Sequence, residues 1–526
     1  MDGTNVTCTV NVRSNVLVSI FQRNVWNSYK AIHLMFLCVI IPCLCSYLCS
    51  LFSWLLGQIP SFLFDKINES WLTSTKRNVE IVKNLMDKIS QLPDELLVKV
   101  LSFLSTKDAV STSILSMRWK SLWMWLPKLE YNFRHYSVSE GQGLARFITS
   151  SLRVHKAPAI ESLSLKFRYG AIGSIKPKDI YLWVSLAVHV SNVRELSLKL
   201  FNFAELPTKL PKSLCKCKSI VILKLKDEIL VDVPRKVCLP SLKTLFLGRV
   251  TYSDANSLHR LLSNCPVLED LVMERDKIDN LGKLSVIVKS LQRLTLKMSR
   301  PCHLDGLKMN SPSLKYLKVI DERLESDSDD ESDSDSPRYF YDFEDMPKLE
   351  EADFVLTFQN IKKFFGSITS VKRLSLCLGV YTEESLYHEG LVFNQLEQLK
   401  ICSCDSDWSI LLARLLKSSP NLRELEAYVI EDHPNGRTDL PNQWDNQLNC
   451  VPTCLLSSLE TFRWSEMHGL LQNQMDVAKY ILKNARCLKS ATIFFPTTYA
   501  QETRDEMIEE LSLSFQGPET CQVFFH

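Results

Sequence analysis

Seventeen cysteines and ten histidines in 526 residues are the side chains best able to hold a metal or act as nucleophiles. The close cysteine pairs are C-x-C, at Cys43/Cys45, Cys215/Cys217 and Cys402/Cys404, and no pair of C-x-x-C knuckles is present to grip zinc. The histidines are dispersed, with no H-E-x-x-H or H-x-x-x-H to place two rings on one helix face. Fifteen glycines include no G-x-x-x-x-G-K, G-x-G-x-x-G or G-x-S-x-G arrangement, so phosphate cradles and nucleophile elbows are missing too. Scattered thiols read as free and reduced, as in cytosolic or nuclear proteins. Trp183, Trp408 and Trp444 read as core aromatics rather than a ligand pocket. The expectation is a chain with no metal, no cofactor and no catalytic residue, whose function is to bind.

Its binding elements follow from composition and period. Hydrophobic residues make up 45% of the chain, enough for a folded core, and 62 basic against 60 acidic residues give no overall field for nucleic acid. From Met86 to Trp125 two short amphipathic helices are legible. The first opens at Leu92-Pro93-Asp94-Glu95, with Pro93 suited to the first helical position and two carboxylates at the positive helix end. Leu97, Val100, Leu101 and Leu104 then recur on one face. The second opens at Ser105-Thr106-Lys107-Asp108, a relative of the capping box, and carries Leu115, Trp119, Leu122 and Trp123 on one stripe. So small a segment either packs on its own chain or completes its core against another protein.

The order I-S-x-L-P-D-E-L-L, L-S-F-L-x-T-K, A-V-x-T-S, L-S-x-R-W-K-S-L-W resembles the F-box of the plant F-box/FBD/LRR-repeat family. The resemblance implies a helical module that docks on the Skp adaptor, and through it on the cullin, of a ubiquitin ligase. It carries the adaptor contact to Leu92, Pro93, Leu96, Leu97, Val100, Leu101, Leu104 and Trp119. Ser105 departs from the proline usual in that turn.

Beyond Pro127-Lys128-Leu129-Glu130-Tyr131, read as a first strand, and a helix over Gly141–His155, the chain repeats itself. An apolar-x-x-apolar-x-apolar unit starts at Ile160, Val193, Ile220, Leu242, Leu268, Leu291, Leu314, Leu349, Val371, Leu396, Leu422, Leu459 and Leu488, mostly at leucine-rich-repeat spacing. Pro240, Pro266, Pro312, Pro347 and Pro420 stand two residues before five of these openers. Each unit therefore reads as helix, proline-marked turn and short strand, stacked into a solenoid with one long binding face. The Asn usual eight residues after each opener is absent, which predicts an irregular array.

Residues 325–336, ESDSDDESDSDS, lack any apolar side chain and read as a disordered acidic loop; Ser326, Ser328 and Ser332 have acids three residues on, as acidophilic kinases favour. The stretches V-P-x-C-L-L-S-S-L-E and Y-I-L-K-N-A-R-x-L resemble the family's FBD region. Ala31 to Leu56 carry no formal charge, long enough for a transmembrane helix; alternatively, since the family's members commonly begin just before I-S-x-L-P, the working chain starts near Met86 and is soluble.

The resulting fold class is α/β: an N-terminal all-α F-box, an irregular leucine-rich-repeat α/β solenoid, and an FBD-like C-terminal region that caps it. The domains are an extension over 1–85, the F-box over 86–132, the solenoid over 133–440 and the FBD-like region over 441–526. The expected function is substrate recognition for a ubiquitin ligase in cytoplasm or nucleus, with an unknown protein target and no nucleic acid. The alternative is a membrane-tethered repeat scaffold held by 31–56. Alternate strand positions should meet the target, with Arg293, Lys318 and Arg373 as its candidate contacts.

Overall fold

The computed structural model describes residues 92–526 apart from 133–137, 169–174, 190–191, 202–205, 277–278, 300–305, 322–339, 359–360, 381–390, 404–407, 430–449 and 468–471. The apolar segment 31–56, Met86, the acidic stretch 325–336 with its three serines, Cys404 and Trp444 lie outside the described residues. Among the described residues no helix is long and apolar enough to cross a membrane. The chain divides into two compact units, Met1–Pro127 and Lys128–His526.

The described part of the first unit is helical. Its first helix, Asp94–Leu101, has Pro93 as the residue before it rather than inside it, and the Pro93 carbonyl accepts from Leu96 N and Leu97 N at 3.1 Å each. Proline suits this place because its extended backbone turns the chain into the helix. Ser105 caps the second helix, Thr106–Ser111, by accepting from Asp108 N at 3.2 Å, the capping bond expected of that spacing.

The second helix expected from Ser105 onward, with its Leu115, Trp119, Leu122 and Trp123 stripe, is divided into four pieces: Thr106–Ser111, a 3-10 turn at Thr112–Ile114, a helix at Trp119–Leu122 and a second 3-10 turn at Trp123–Trp125. Three consecutive hydroxyls explain the break. Ser111 Oγ donates to Lys107 O at 2.9 Å, Thr112 Oγ1 to Ala109 O at 2.7 Å and Ser113 Oγ to Val110 O at 2.5 Å, so the side chains satisfy the terminal carbonyls that another helical turn would have used. Trp119, Leu122 and Trp123 are nevertheless buried.

The second unit is built on a 15-stranded parallel sheet in which each strand pairs with the next of the set along the chain, from Lys128–Asn132 to Gln522–Phe525. The first strand, Lys128–Asn132, thus belongs to this sheet. All thirteen openers are at most 1% exposed, and every corresponding strand begins two residues after its opener, as at Ile160 and Ser162, or Leu291 and Arg293. The apolar positions bury against the neighbouring repeats while the alternate positions of most strands stay half-exposed.

The prolines mark turns that lead into strands, as expected. Leu242 N, Leu268 N, Leu314 N, Leu349 N and Leu422 N each donate to the carbonyl three residues back, at 3.0 to 3.3 Å, so each proline is the second residue of a four-residue turn that ends on the opener. Its fixed φ presets that turn. Serine supplies part of what the absent asparagine would. Ser219 Oγ donates to Val193 O at 2.9 Å, Ser290 Oγ to Leu268 O at 2.8 Å, Ser370 Oγ to Leu349 O at 3.2 Å and Ser458 Oγ to Leu422 O at 2.9 Å. In each case the residue before one opener ties to the carbonyl of the previous opener.

The return legs are mixed, which corrects the uniform helix-turn-strand unit. Helices such as Pro177–His189, Ser257–Ser263 and Trp408–Ser418 serve some repeats. Elsewhere the return leg is a strand in one of two small parallel sheets: Thr208–Lys209, Ile229–Val231 and Thr251–Tyr252, or Lys283–Ile287, Gly306–Asn310 and Phe340–Phe343. Segments such as Lys-Leu-Ser-Val-Ile alternate apolar and polar residues with period two, which favours a strand over a helix. In the C-terminal region the helix Gln472–Asn484 separates the strands Thr461–Trp464 and Ser490–Ile493, and Gln501–Ser514 precedes the last strand. The repeat architecture therefore continues to the end of the described chain.

Candidate docking surfaces

The helical unit has a filled core and, apart from it, an exposed apolar stripe. Leu97, Leu101, Ala109, Trp119, Leu122, Trp123 and Leu126 are buried and form the core of this module. Leu96, Phe103, Ile114, Met117 and Trp125 are exposed, Met117 by 81% and Ile114 by 75%. Leu96, Val100 and Phe103 follow one another at steps of four and three, one line down the first helix and past its end. Five large apolar side chains are thus exposed between Leu96 and Trp125, outside the core of the module.

The eight residues carried over by resemblance divide on this basis. Leu97, Leu101 and Trp119 are core residues; at 0%, 0% and 3% exposure they present almost no surface to a partner. Leu92, Val100 and Leu104 are half-buried, and Pro93 and Leu96 are exposed. The physical reason is the helix period: an apolar set with two adjacent members per turn covers two neighbouring faces, of which only one can meet the core. Phe103, Ile114 and Met117 escaped the sequence reading because two of them lie in the broken second half, where a helical stripe assigned the faces wrongly.

Arg118 was also missed, although it stands in the quoted R-W-K stretch. Its guanidinium donates to Leu92 O at 2.5 Å and to Asp94 Oδ1 at 2.7 and 2.8 Å, fastening the loop after Ile114 to the entry of the first helix. That bond holds Met117 and Leu96, which flank it in sequence, on two segments tied to each other.

The second surface is the open side of the long sheet. Arg293, Lys318 and Arg373 all lie there, as strand alternation predicts, but each is bonded to a carboxylate on the neighbouring strand. Arg293 meets Asp270 at 2.5 Å, Lys318 meets Asp353 at 2.6 Å and Arg373 meets Glu351 at 2.7 Å. Burial alone would lower the Lys318 pKa, yet the hydrogen bond and charge of Asp353 outweigh it and the value is raised. Single-sequence reading cannot see such pairs, because the partners are 22 to 35 residues apart in the chain and become neighbours only through strand register. Pairs of this exposure contribute about 0–1 kcal/mol each to stability; their larger effect is to cancel the local field.

The sequence matches three family models: the F-box domain over residues 89–131, the LRR repeats of an FBD-associated F-box protein over 182–333, and FBD over 447–493. An Arabidopsis thaliana protein of the F-box/FBD/LRR-repeat type is 90% identical over 441 residues, which is 84% of this chain and all of that protein. An F-box/LRR-repeat protein of the same plant is 98% identical over 358 residues, 68% of this chain and 98% of the relative. An FBD-associated F-box protein, also from Arabidopsis thaliana, is 47% identical over 442 residues, 84% of this chain and the whole relative. With its helical module, its parallel repeat sheet and its C-terminal region all matched, the chain belongs to the F-box/FBD/LRR-repeat protein family.

Proposed function

We propose that this chain is the substrate-recognition subunit of a Skp–cullin–F-box ubiquitin ligase. The apolar stripe of the helical module docks on the Skp adaptor, and the open face of the repeat sheet selects a protein target. The observation that carries this reading is the stripe itself: Leu96, Phe103, Ile114 and Met117 are exposed on a module whose own core is complete without them. The contact residues are then Leu92, Pro93, Leu96, Val100 and Leu104 of the set implied by resemblance, joined by Phe103, Ile114 and Met117. Leu97, Leu101 and Trp119 act by holding that surface in shape.

No catalytic side chain is required of such a subunit. Holding the target and the charged conjugating enzyme in one assembly makes their encounter effectively intramolecular, and that effective concentration is the rate advantage. Arg293, Lys318 and Arg373, each already paired, would shape the face and fix its register more than they would attract a target.

The test is affinity purification of the tagged chain from plant cells with the ligase inhibited. Adaptor and cullin are expected in the eluate together with ubiquitinated target. An eluate without either scaffold protein would refute the reading. Cytoplasmic or nuclear recovery is expected alongside.

A further inference from the structure

The open face is not uniform in charge. On the first five strands, Lys128–Asn132, Ser162–Arg168, Glu195–Phe201, Ile222–Asp227 and Thr244–Gly248, the outward positions hold six cations against two carboxylates, Glu130 and Glu195. On the remaining ten strands they hold six of each among the described residues. The face is therefore neutral over most of its length and basic at the N-terminal end.

Register concentrates that charge. Lys166, Lys199 and Lys226 are direct neighbours across three adjacent strands, at a strand spacing of ~4.8 Å. Like charges directly opposite destabilise a sheet. The outer two lysines are drawn away from the middle: Lys166 reaches back to Glu130 at 2.8 Å, and Lys226 reaches across Gly248 to Glu274 at 2.6 Å. A Cβ at Gly248 would lie 3.2 Å from that Glu274 oxygen, so glycine clears the path. Lys199, between them, is exposed and bonded to no carboxylate among the described residues.

Aromatic rings fix the surrounding cations. The Arg168 guanidinium lies 5.4 Å from the centroid of the Phe201 ring and Arg249 lies 5.9 Å from it, while Lys226 Nζ lies 5.4 Å from the centroid of Phe246. Arg249 is also ion-paired with the buried Asp227. Of these cations only Arg168, held against Phe201, has no carboxylate partner among the described residues, so it and the open ammonium of Lys199 are what an anionic chain segment would meet.

We infer that the N-terminal end of the open face, centred on Lys199, binds an Asp- and Glu-rich segment of the target protein. This deepens the receptor reading and rests on it. Separate lysine ammoniums at strand spacing act as point charges suited to carboxylates on successive residues. A phosphate would favour free, forked arginines, and both of these arginines, Arg168 and Arg249, are held against Phe201. The excess of four charges over five strands, in a chain of net charge +2, is too small for the long basic footprint of a nucleic-acid site.

The test uses the full chain and a fluorescein-labelled twelve-residue peptide of alternating Glu and Ala, followed by anisotropy at low and at physiological salt. Binding is expected, weakening as salt rises. Lys199→Glu should weaken it at least tenfold, and Lys199→Gln by less. Lys289→Glu, exposed in a turn outside the strands of the face, should leave it unchanged. Circular dichroism of each variant separates lost binding from lost folding, and Lys199 makes no bond that folding needs. Absence of binding at low salt, equal loss with Lys289→Glu, equal affinity for a single-stranded DNA of the same length, or binding restricted to a phosphoserine version of the peptide would each overturn the inference. Adaptor co-purification is scored in parallel. A wild-type chain that binds the adaptor but not the peptide sinks only this inference, whereas an adaptor that never binds sinks the receptor reading beneath it.

Discussion

Replacing Asp279 with Ala should damage the solenoid far more than its loop position suggests. Asp279 accepts from Nε and Nη2 on one edge of the Arg275 guanidinium, at 2.7 and 3.1 Å, and also accepts from Leu281 N at 2.8 Å. The two side chains are 1% and 2% exposed. Truncation strips the carboxylate but leaves the guanidinium buried, with Leu281 O at 2.5 Å among its remaining acceptors. Breaking a buried pair on one side costs about 3–5 kcal/mol, whereas replacing both partners with apolar residues of similar volume is often neutral. Arg275 ends the strand Asp270–Arg275, whose outward Asp270 and Glu274 hold Arg293 and Lys226, so the damage should spread along the face. Because a repeat array opens in sections, hydrogen exchange is the suitable assay. Asp279→Ala should lower protection over residues 270–298 by two to three orders of magnitude, and Arg275→Met with Asp279→Leu should restore most of it. A single variant within about 1 kcal/mol of wild type, or a double variant as damaged as the single, would refute the reasoning.

Two further expectations follow from the repeats. Ser290→Ala should cost about 1 kcal/mol, as for a typical lost intramolecular hydrogen bond, and in combination with Ser219→Ala the losses should add, since the two lie in separate turns; chemical denaturation checks both. Burial pushes the thiols of Cys215 up to about 11 and of Cys265 and Cys454 up to about 12, from 9.0. Cys265 and Cys454 should therefore resist alkylation at pH 8 in the native chain while the exposed Cys238 and Cys450 react, as read by peptide mass spectrometry. The linked pH effect has a definite sign: the unfolded chain releases these protons near pH 9 and the folded chain retains them, so this contribution to stability is intact below about pH 9 and declines from there toward pH 12.

The repeats were legible because their signal is local. An opener, two unconstrained positions and a second apolar residue fall within a few residues, and each of the thirteen openers is buried two positions ahead of a strand. The return legs were less legible, since a short segment such as Lys283–Ile287 satisfies a strand only in company with Gly306–Asn310 beside it. In the helical module the first helix followed its period, but Ser111, Thr112 and Ser113 ended the second by bonding back to it. That misassigned the faces, and Ile114 and Met117 went unnoticed. On the open face the residue types were read correctly and their state was not. Arg293 and Lys318 looked like free cations until register placed Asp270 and Asp353 beside them, and the same register leaves Lys199 bonded to no carboxylate among the described residues.

The central claim, that the helical module docks through its exposed stripe, is tested most directly by titrating purified Skp adaptor against the purified chain in a calorimeter. Met117→Asp together with Leu96→Asp places two charges on side chains that are already exposed, so the fold should persist while adaptor affinity falls at least a hundredfold, about 2.7 kcal/mol. Lys199→Glu, on the other surface, should bind the adaptor as wild type does. Undiminished adaptor binding by the folded Leu96→Asp, Met117→Asp variant would contradict the account.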